Sequence, residues 1–91
     1  SLMPDRPRVQ YNYGLAEQYL GHVERAAAAF RKASEMEPLN PTFLRALTIL
    51  YAQNGRWLEA DVFARRLLEV GADSPENRAL FRRIQSELQR R

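Results

Sequence analysis

Residues able to carry out chemistry are few in this chain. His22 is its only histidine and cysteine is absent, whereas a metal site needs three or four protein ligands. The acid pairs Glu35/Glu37 and Glu59/Asp61 are each spaced two residues apart, which turns the two side chains to different faces of a helix. The glycines stand singly, so no phosphate-binding loop, dinucleotide motif or nucleophile elbow is present. We therefore predict no enzyme activity, no metal and no cofactor.

The charge pattern offers a second kind of site. Fourteen basic residues against 11 acidic ones give a net charge of +3. Several basic residues are concentrated near the carboxy terminus: Arg78, Arg82, Arg83, Arg90 and Arg91. Nucleic-acid contact through this cluster is a minor alternative, because Glu69, Glu76 and Glu87 dilute its charge and a broad basic stripe is missing. A solvent-exposed helix face is the interpretation we favour.

Other aspects of the composition limit location and source. No apolar run approaches the roughly 20 residues that cross a bilayer, so we expect no membrane association and a soluble protein of the cytoplasm or periplasm. The basic residues are almost all arginine, which is typical of GC-rich genomes and favours a bacterial source.

An internal repeat determines the elements that position these side chains. Pro7, Pro41 and Pro75 are spaced 34 residues apart, and Gly21 and Gly55 share that spacing. Proline suits the first turn of a helix, where no amide hydrogen is needed. Glycine suits the position just after a helix, where left-handed backbone geometry is common. A period of this length, with helix signals in each unit, indicates a repeat architecture.

Apolar residues between these signals recur with helical spacing. Five helices are predicted, at about 8–20, 23–36, 41–54, 57–70 and 75–89. On the first helix, the apolar face is predicted to comprise Val9, Tyr13, Ala16 and Leu20. The faces predicted for the other helices comprise Val23, Ala26, Ala27, Phe30 and Ala33; Phe43, Leu47 and Leu50; Trp57, Ala60, Ala64 and Leu67; and Leu80, Ile84 and Leu88.

The first full unit resembles the tetratricopeptide repeat (TPR). Its resemblance is carried by Tyr11-Asn12-Tyr13-Gly14-Leu15-Ala16, Tyr19-Leu20-Gly21, Ala26, Phe30-Arg31-Lys32-Ala33 and Pro38. The second unit keeps Leu47, Gly55, Ala60, Leu67 and Leu68. It departs at Thr48, Ala64 and Ala72, which correspond to Gly14, Phe30 and Pro38. This resemblance covers nearly the whole chain and is specific for the fold.

The resemblance implies an all-α fold, an α-α superhelix (solenoid) of two TPR helical hairpins plus a C-terminal capping helix. The hairpins would occupy 8–40 and 41–74, and the capping helix 75–91. Residues 1–7 parallel the end of the first hairpin and its link to the next one, so we expect them to be the tail of a preceding repeat or a linker. The chain would then be a fragment of a larger protein.

The resemblance also implies a function, protein–protein interaction through the concave groove lined by the first helix of each hairpin. Carried onto this chain, the groove residues are Tyr11, Asn12, Leu15, Gln18, Tyr19, Arg45, Ile49 and Gln53. The family's clamp for a terminal carboxylate is not matched, since only Asn12 and Arg45 could act as donors. The expected partner is a protein or peptide. An alternative is a structural role, in which the repeats pack on their parent chain or on a second copy as a homo-oligomer.

Overall fold

The computed structural model describes residues 6–90, which form an all-α fold without a strand in that range. Its five helices are α1 Pro7–Tyr19, α2 Val23–Met36, α3 Pro41–Gln53, α4 Trp57–Glu69 and α5 Pro75–Gln89. Each begins and ends within one residue of the predicted bounds. The expected tail of a preceding repeat falls mostly on residues 1–5, outside the described part of the chain, as does Arg91.

Proline and glycine set the ends of these helices as the sequence predicts, and two polar side chains cap helix starts. α1, α3 and α5 each have proline in the first turn. Asn40 caps α3 by accepting a hydrogen bond from the backbone N–H of Thr42 at 2.9 Å, and Ser74 caps α5 by accepting from the N–H of Asn77 at 3.2 Å. Gly55, just beyond α3, has φ +70°, a conformation that side-chain-bearing residues adopt only at a cost.

The helices pack in the order in which they follow one another along the chain. The main contacts join α1 to α2, α2 to α3, α3 to α4, and α4 to α5. Turns of three to five residues connect them. The molecule measures 48 × 28 × 17 Å. The main packing layers therefore lie between consecutive helices, and the Tyr11 ring of α1 also packs against Phe43 of α3.

The core comprises most of the apolar faces predicted for α2 to α5. Ala26, Phe30 and Ala33 are buried on α2, and Ile84 is buried on α5. The buried members from α3 and α4 are Phe43, Leu47, Leu50, Ala60, Ala64 and Leu67. Four further buried apolar side chains were not among the predicted faces: Ala29, Leu44, Tyr51 and Phe63.

The predicted apolar face of α1 is wrong. Val9, Tyr13 and Leu20 are 41%, 53% and 63% exposed, and Ala16 is exposed as well. The reason is that apolar residues occur on several sides of this helix, so periodicity alone does not select the side that meets α2. No helix of the described residues covers the Val9 side.

The side of α1 that meets α2 is built from Gly14, Glu17 and the half-buried Tyr11. A Cβ atom added at Gly14 would lie 2.5 Å from Cε1 of Phe30, so the Phe30 ring occupies the space that a side chain at position 14 would need. The corresponding positions of the second hairpin are the buried Thr48 and Ala64. The larger side chain of the pair is therefore on α2 in the first hairpin (Phe30) and on α3 in the second (Thr48).

Candidate functional site

A groove between α1 and α3 contains most of the residues predicted to bind a partner. Its volume is about 270 Å³, and it is lined by Tyr11, Leu15, Gln18, Thr42, Arg45, Ala46 and Ile49. Five of the eight predicted residues therefore share one surface, which we call the α1–α3 groove. It combines one aromatic ring, three aliphatic side chains, a hydroxyl, an amide and a guanidinium group. Such a mixture suits a peptide, whose backbone needs donors and acceptors and whose side chains need apolar contact.

The other three predicted residues do not line the groove. Asn12 is exposed, and Tyr19 is 91% exposed at the end of α1. Gln53 lies at the end of α3, where its Oε1 accepts a hydrogen bond from Nε2 of Gln18 at 3.3 Å. This amide pair connects the carboxy-terminal ends of α1 and α3 and closes that end of the groove.

Neighbouring side chains restrain the aromatic and cationic members of the groove. The Tyr11 ring packs at a tilt against Phe30, at 5.7 Å between centroids, and against Phe43, at 5.4 Å. Arg45 Nε donates to Oδ1 of Asn77 at 2.9 Å. Asn77 is buried, and its Nδ2 donates to the carbonyl of Ala72 at 2.9 Å. The start of α5 therefore orients a cationic group of the groove.

A second and larger hollow, which the sequence did not predict, lies between α2 and α4. Its volume is about 760 Å³, and we call it the α2–α4 cleft. Its walls come from residues of α2 and the following turn, from the start of α3, and from α4. The lining residues are Arg31, Ser34, Glu35, Pro38, Leu39, Leu44, Glu59, Val62, Phe63, Arg66, Glu69 and Val70. None of them belongs to the α1–α3 groove.

Two arginines share one aromatic ring in the α2–α4 cleft. The guanidinium carbons of Arg31 and Arg66 lie 5.6 and 5.2 Å from the centroid of Phe63. Arg31 Nη2 also donates to the Tyr51 hydroxyl at 2.8 Å. The arrangement joins α2, α3 and α4, whose residues are far apart in the chain. Helical periodicity carries no information on such a meeting of three helices, so only the packing reveals it.

His22 lies in the turn before α2 and is paired with a carboxylate. Its side chain is 45% exposed, but Nδ1 lies 2.5 Å from Oε1 of the buried Glu17. The pKa of the Glu17 carboxyl is lowered, first by a hydrogen bond from the Tyr13 hydroxyl and then by one from His22. The same bond to Glu17 raises the pKa of Tyr13. This cluster joins α1 to the turn before α2, and the described residues include no group of three or more side chains suited to hold a metal.

Arg56 connects the two hairpins electrostatically. It forms salt bridges with Glu24 of α2 and with Glu59 of α4, the latter at 2.6 Å. The hydrogen bond from Arg56 lowers the pKa of the Glu59 carboxyl. The guanidinium carbon also lies 5.0 Å from the Tyr51 ring centroid. Arg56 thus contacts side chains of α2, α3 and α4 at the end of the cleft nearest the start of α4.

The arginines of α5 are mostly engaged within the chain. Arg78 pairs with Asp73 at 3.0 Å, which lowers the pKa of Asp73, and Arg90 pairs with Glu87 at 3.4 Å. The Arg83 guanidinium carbon lies 5.9 Å from the Trp57 ring. Only Arg82 of the cluster's described members has none of these contacts. Salt bridges thus pair two of the four described arginines of the cluster, and nucleic-acid contact stays an untested alternative.

Comparison with models of known protein families found no match, and a search of curated proteins also found no similar sequence. Within residues 6–90, every helix is too short or too polar to cross a membrane. The clefts and their chemistry are thus the observations from which a function has to be inferred.

Proposed function

We propose that this chain is a tetratricopeptide-type interaction module that binds a protein or peptide segment in the α1–α3 groove and catalyses no reaction. The groove's composition and the restrained positions of its side chains carry the proposal. Tyr11 and Arg45 are fixed by packing and by a hydrogen bond before any partner arrives. Side chains that are already ordered lose less conformational entropy on binding, so they contribute more of their contact energy to affinity.

The repeat supports a solenoid interpretation of the fold. α1, α3 and α5 begin at Pro7, Pro41 and Pro75, and α2 and α4 begin at Val23 and Trp57, so equivalent helices start 34 residues apart. Packing runs from each helix to the next, as in arrays whose units contact only their neighbours. In this interpretation α1 and α3 are equivalent helices of successive units, and α5 caps the second unit.

Peptide selection tests the proposed function. A phage-displayed library of random peptides would be selected on the wild-type chain alone. The selected peptides would then be titrated into wild type and into Ile49→Asp, which places a charge in the groove. We expect peptides that bind wild type and lose roughly tenfold or more in affinity on Ile49→Asp and on Leu15→Asp, because each change desolvates a carboxylate against apolar groups. Ser86→Asp, an exposed change on α5, is the matched control.

The selection has a clear contrary result. Peptides that bind wild type, Ile49→Asp and Ser86→Asp equally well would show that recognition does not use the groove. The proposed function would then fail, whatever the affinity of those peptides.

A second candidate, self-association, is favoured by the uncovered side of α1. Val9, Tyr13 and Leu20 expose large apolar areas there, and their side of the helix corresponds to the side of α3 that packs on α2. Sedimentation at several concentrations tests this candidate. A dimer that Tyr13→Glu dissociates would support it, and a monomer across the concentration range would exclude it.

A further inference from the structure

We propose that the α2–α4 cleft is a second peptide-binding site, whose ligand is an extended segment with one acidic side chain between aliphatic ones. The site shares no residue with the α1–α3 groove, so a partner bound there would be independent of the proposed function. The Arg31–Phe63–Arg66 stack is the feature that identifies the ligand class.

The cationic groups of the stack are positioned but not neutralised. Neither Arg31 nor Arg66 takes part in any salt bridge within residues 6–90, whereas Arg56, Arg65, Arg78 and Arg90 all do. Contact with the Phe63 ring limits the motion of both guanidinium groups, and Tyr51 accepts a hydrogen bond from one of them. A guanidinium group presents several parallel N–H donors that match a carboxylate. Ordered guanidinium groups without a salt bridge to a described residue favour an anionic side chain.

The remainder of the cleft supplies apolar surface. Val62 is 45% exposed, and Leu39, in the turn after α2, is 77% exposed. Leu44 and Phe63 form the buried floor between them. Aliphatic side chains on either side of the acidic residue would cover this surface, which water now contacts. The volume of about 760 Å³ accommodates several side chains.

Carboxylates in the cleft limit the ligand to a single acid. Three line it, and one of them, Glu59, is paired with Arg56 and also interacts electrostatically with Arg31. Glu35 and Glu69 line the cleft in the last turns of α2 and α4, where the helix dipoles add negative potential. Both side chains are exposed and free of salt bridges with described residues. An anion therefore finds a favourable potential only near the stack, and a run of acidic residues would meet repulsion at the helix ends.

Binding of two matched peptides tests the proposal. The first is a capped hexapeptide with one aspartate between leucines, and the second has asparagine in place of the aspartate. Both would be titrated into the ¹⁵N-labelled chain and followed by amide chemical shifts. We expect saturable shifts around Arg31, Val62 and Arg66, and roughly five- to tenfold tighter binding of the aspartate peptide, as for a partly exposed charge-assisted hydrogen bond.

Matched variants separate the site from general electrostatics. Arg66→Gln should abolish most of the preference for the aspartate peptide over the asparagine peptide. Arg31→Gln should do the same, with an amide spectrum that shows a folded chain. Arg82→Gln removes the same charge from α5, and Arg45→Gln removes it from the α1–α3 groove. Neither of these controls should change the affinity of the aspartate peptide by more than about twofold, because exposed charges at a distance are screened.

Each contrary outcome overturns the proposal in a recognisable way. Equal affinity for the two peptides, or the absence of saturable shifts, refutes the proposal that the cleft binds an acidic ligand. If Arg82→Gln lowers the affinity for the aspartate peptide as much as Arg66→Gln does, the attraction is nonspecific and the proposed site is refuted. Shifts confined to the α1–α3 groove and abolished by Arg45→Gln would support the proposed function but refute the second site. Concentration-dependent dimerisation abolished by Arg66→Gln would assign the cleft to a second copy of the chain.

Discussion

The contact between Gly14 and Phe30 allows the packing of the first hairpin to be tested quantitatively. Replacing Gly14 by alanine has two opposed effects on the free energy of unfolding. Alanine favours a helix over glycine by about 1 kcal/mol. Its Cβ, however, would lie 2.5 and 2.6 Å from two atoms of the fully buried Phe30 ring. Forcing an extra methyl into such a core costs about 1–3 kcal/mol, so Gly14→Ala should be destabilising by about 1 kcal/mol.

Removal of the Phe30 ring should reverse the sign of the stability change caused by Gly14→Ala. Phe30→Ala alone should cost about 3–5 kcal/mol, as expected for a buried aromatic side chain. In that background the Gly14 Cβ meets a cavity, so Gly14→Ala should stabilise the protein by about 1 kcal/mol from helix propensity. The coupling between the two substitutions then equals the overpacking cost, about 1–3 kcal/mol.

Urea denaturation followed by circular dichroism measures this cycle. All four proteins would contain the same concentration of trimethylamine N-oxide, which favours burial and keeps the weakest variant folded. The reasoning is refuted if Gly14→Ala changes stability equally in both backgrounds, within about 0.5 kcal/mol. It is also refuted if Gly14→Ala stabilises the wild-type chain, because the ring would then have moved aside without cost.

Three further predictions concern a carboxyl group, a buried amide and a turn. The pKa of the Glu17 carboxyl is lowered in the folded chain, so the unfolded chain binds the proton more readily, and the free energy of unfolding should fall as pH drops from about 5 through the folded-state pKa. In urea titrations from pH 6 to 3, Glu17→Gln should show a smaller fall. An equal fall in the two proteins would contradict the assignment. Asn77→Ala should cost about 1 kcal/mol, because the half-buried carbonyl of Ala72 loses its hydrogen bond. It should also weaken groove peptides by releasing Arg45, and unchanged urea midpoints would count against it. Gly55→Ala should cost about 1–2 kcal/mol in thermal unfolding, because φ is +70° there with open space around the Cβ, and a raised Tm would show that the turn had rearranged.

The helices were predictable because their signals are local. Proline at helix starts, caps at Asn40 and Ser74, and glycine after helices each act within a few residues, so every helix end lies within one residue of its expected place. The 34-residue repeat then strengthened each signal by repetition. The groove residues were predicted from the resemblance to the tetratricopeptide repeat and not from local signals, and five of the eight lie together.

The side of α1 that is buried was not predictable in the same way. Tyr11 and Tyr13 are chemically alike, and only the position of the Phe30 ring decides which of them packs inward. Glu17 shows a related failure, since a charged residue is buried there only because Tyr13 and His22 hydrogen-bond to it. Both outcomes depend on partners from another element, about which local pattern is silent.

The α2–α4 cleft shows the same limit on a larger scale. Its arginines and its aromatic ring come from helices separated by a complete intervening helix, and no repeated motif links Arg31 to Arg66. Their approach follows from the angle at which successive hairpins stack. A sequence pattern gives that angle only indirectly, through side-chain volumes such as those of Thr48 and Ala64.

Packing that runs chiefly from each helix to the next has a mechanical consequence. A pulling force applied at the two ends of the chain would meet α1 and α5 first, and each is held chiefly by one neighbour. Either could detach while α2, α3 and α4 stay together, so extension should proceed in steps, from the ends inward, with no single breaking point. A helical array of this kind should extend gradually under force and can refold by re-forming one helix–helix layer at a time.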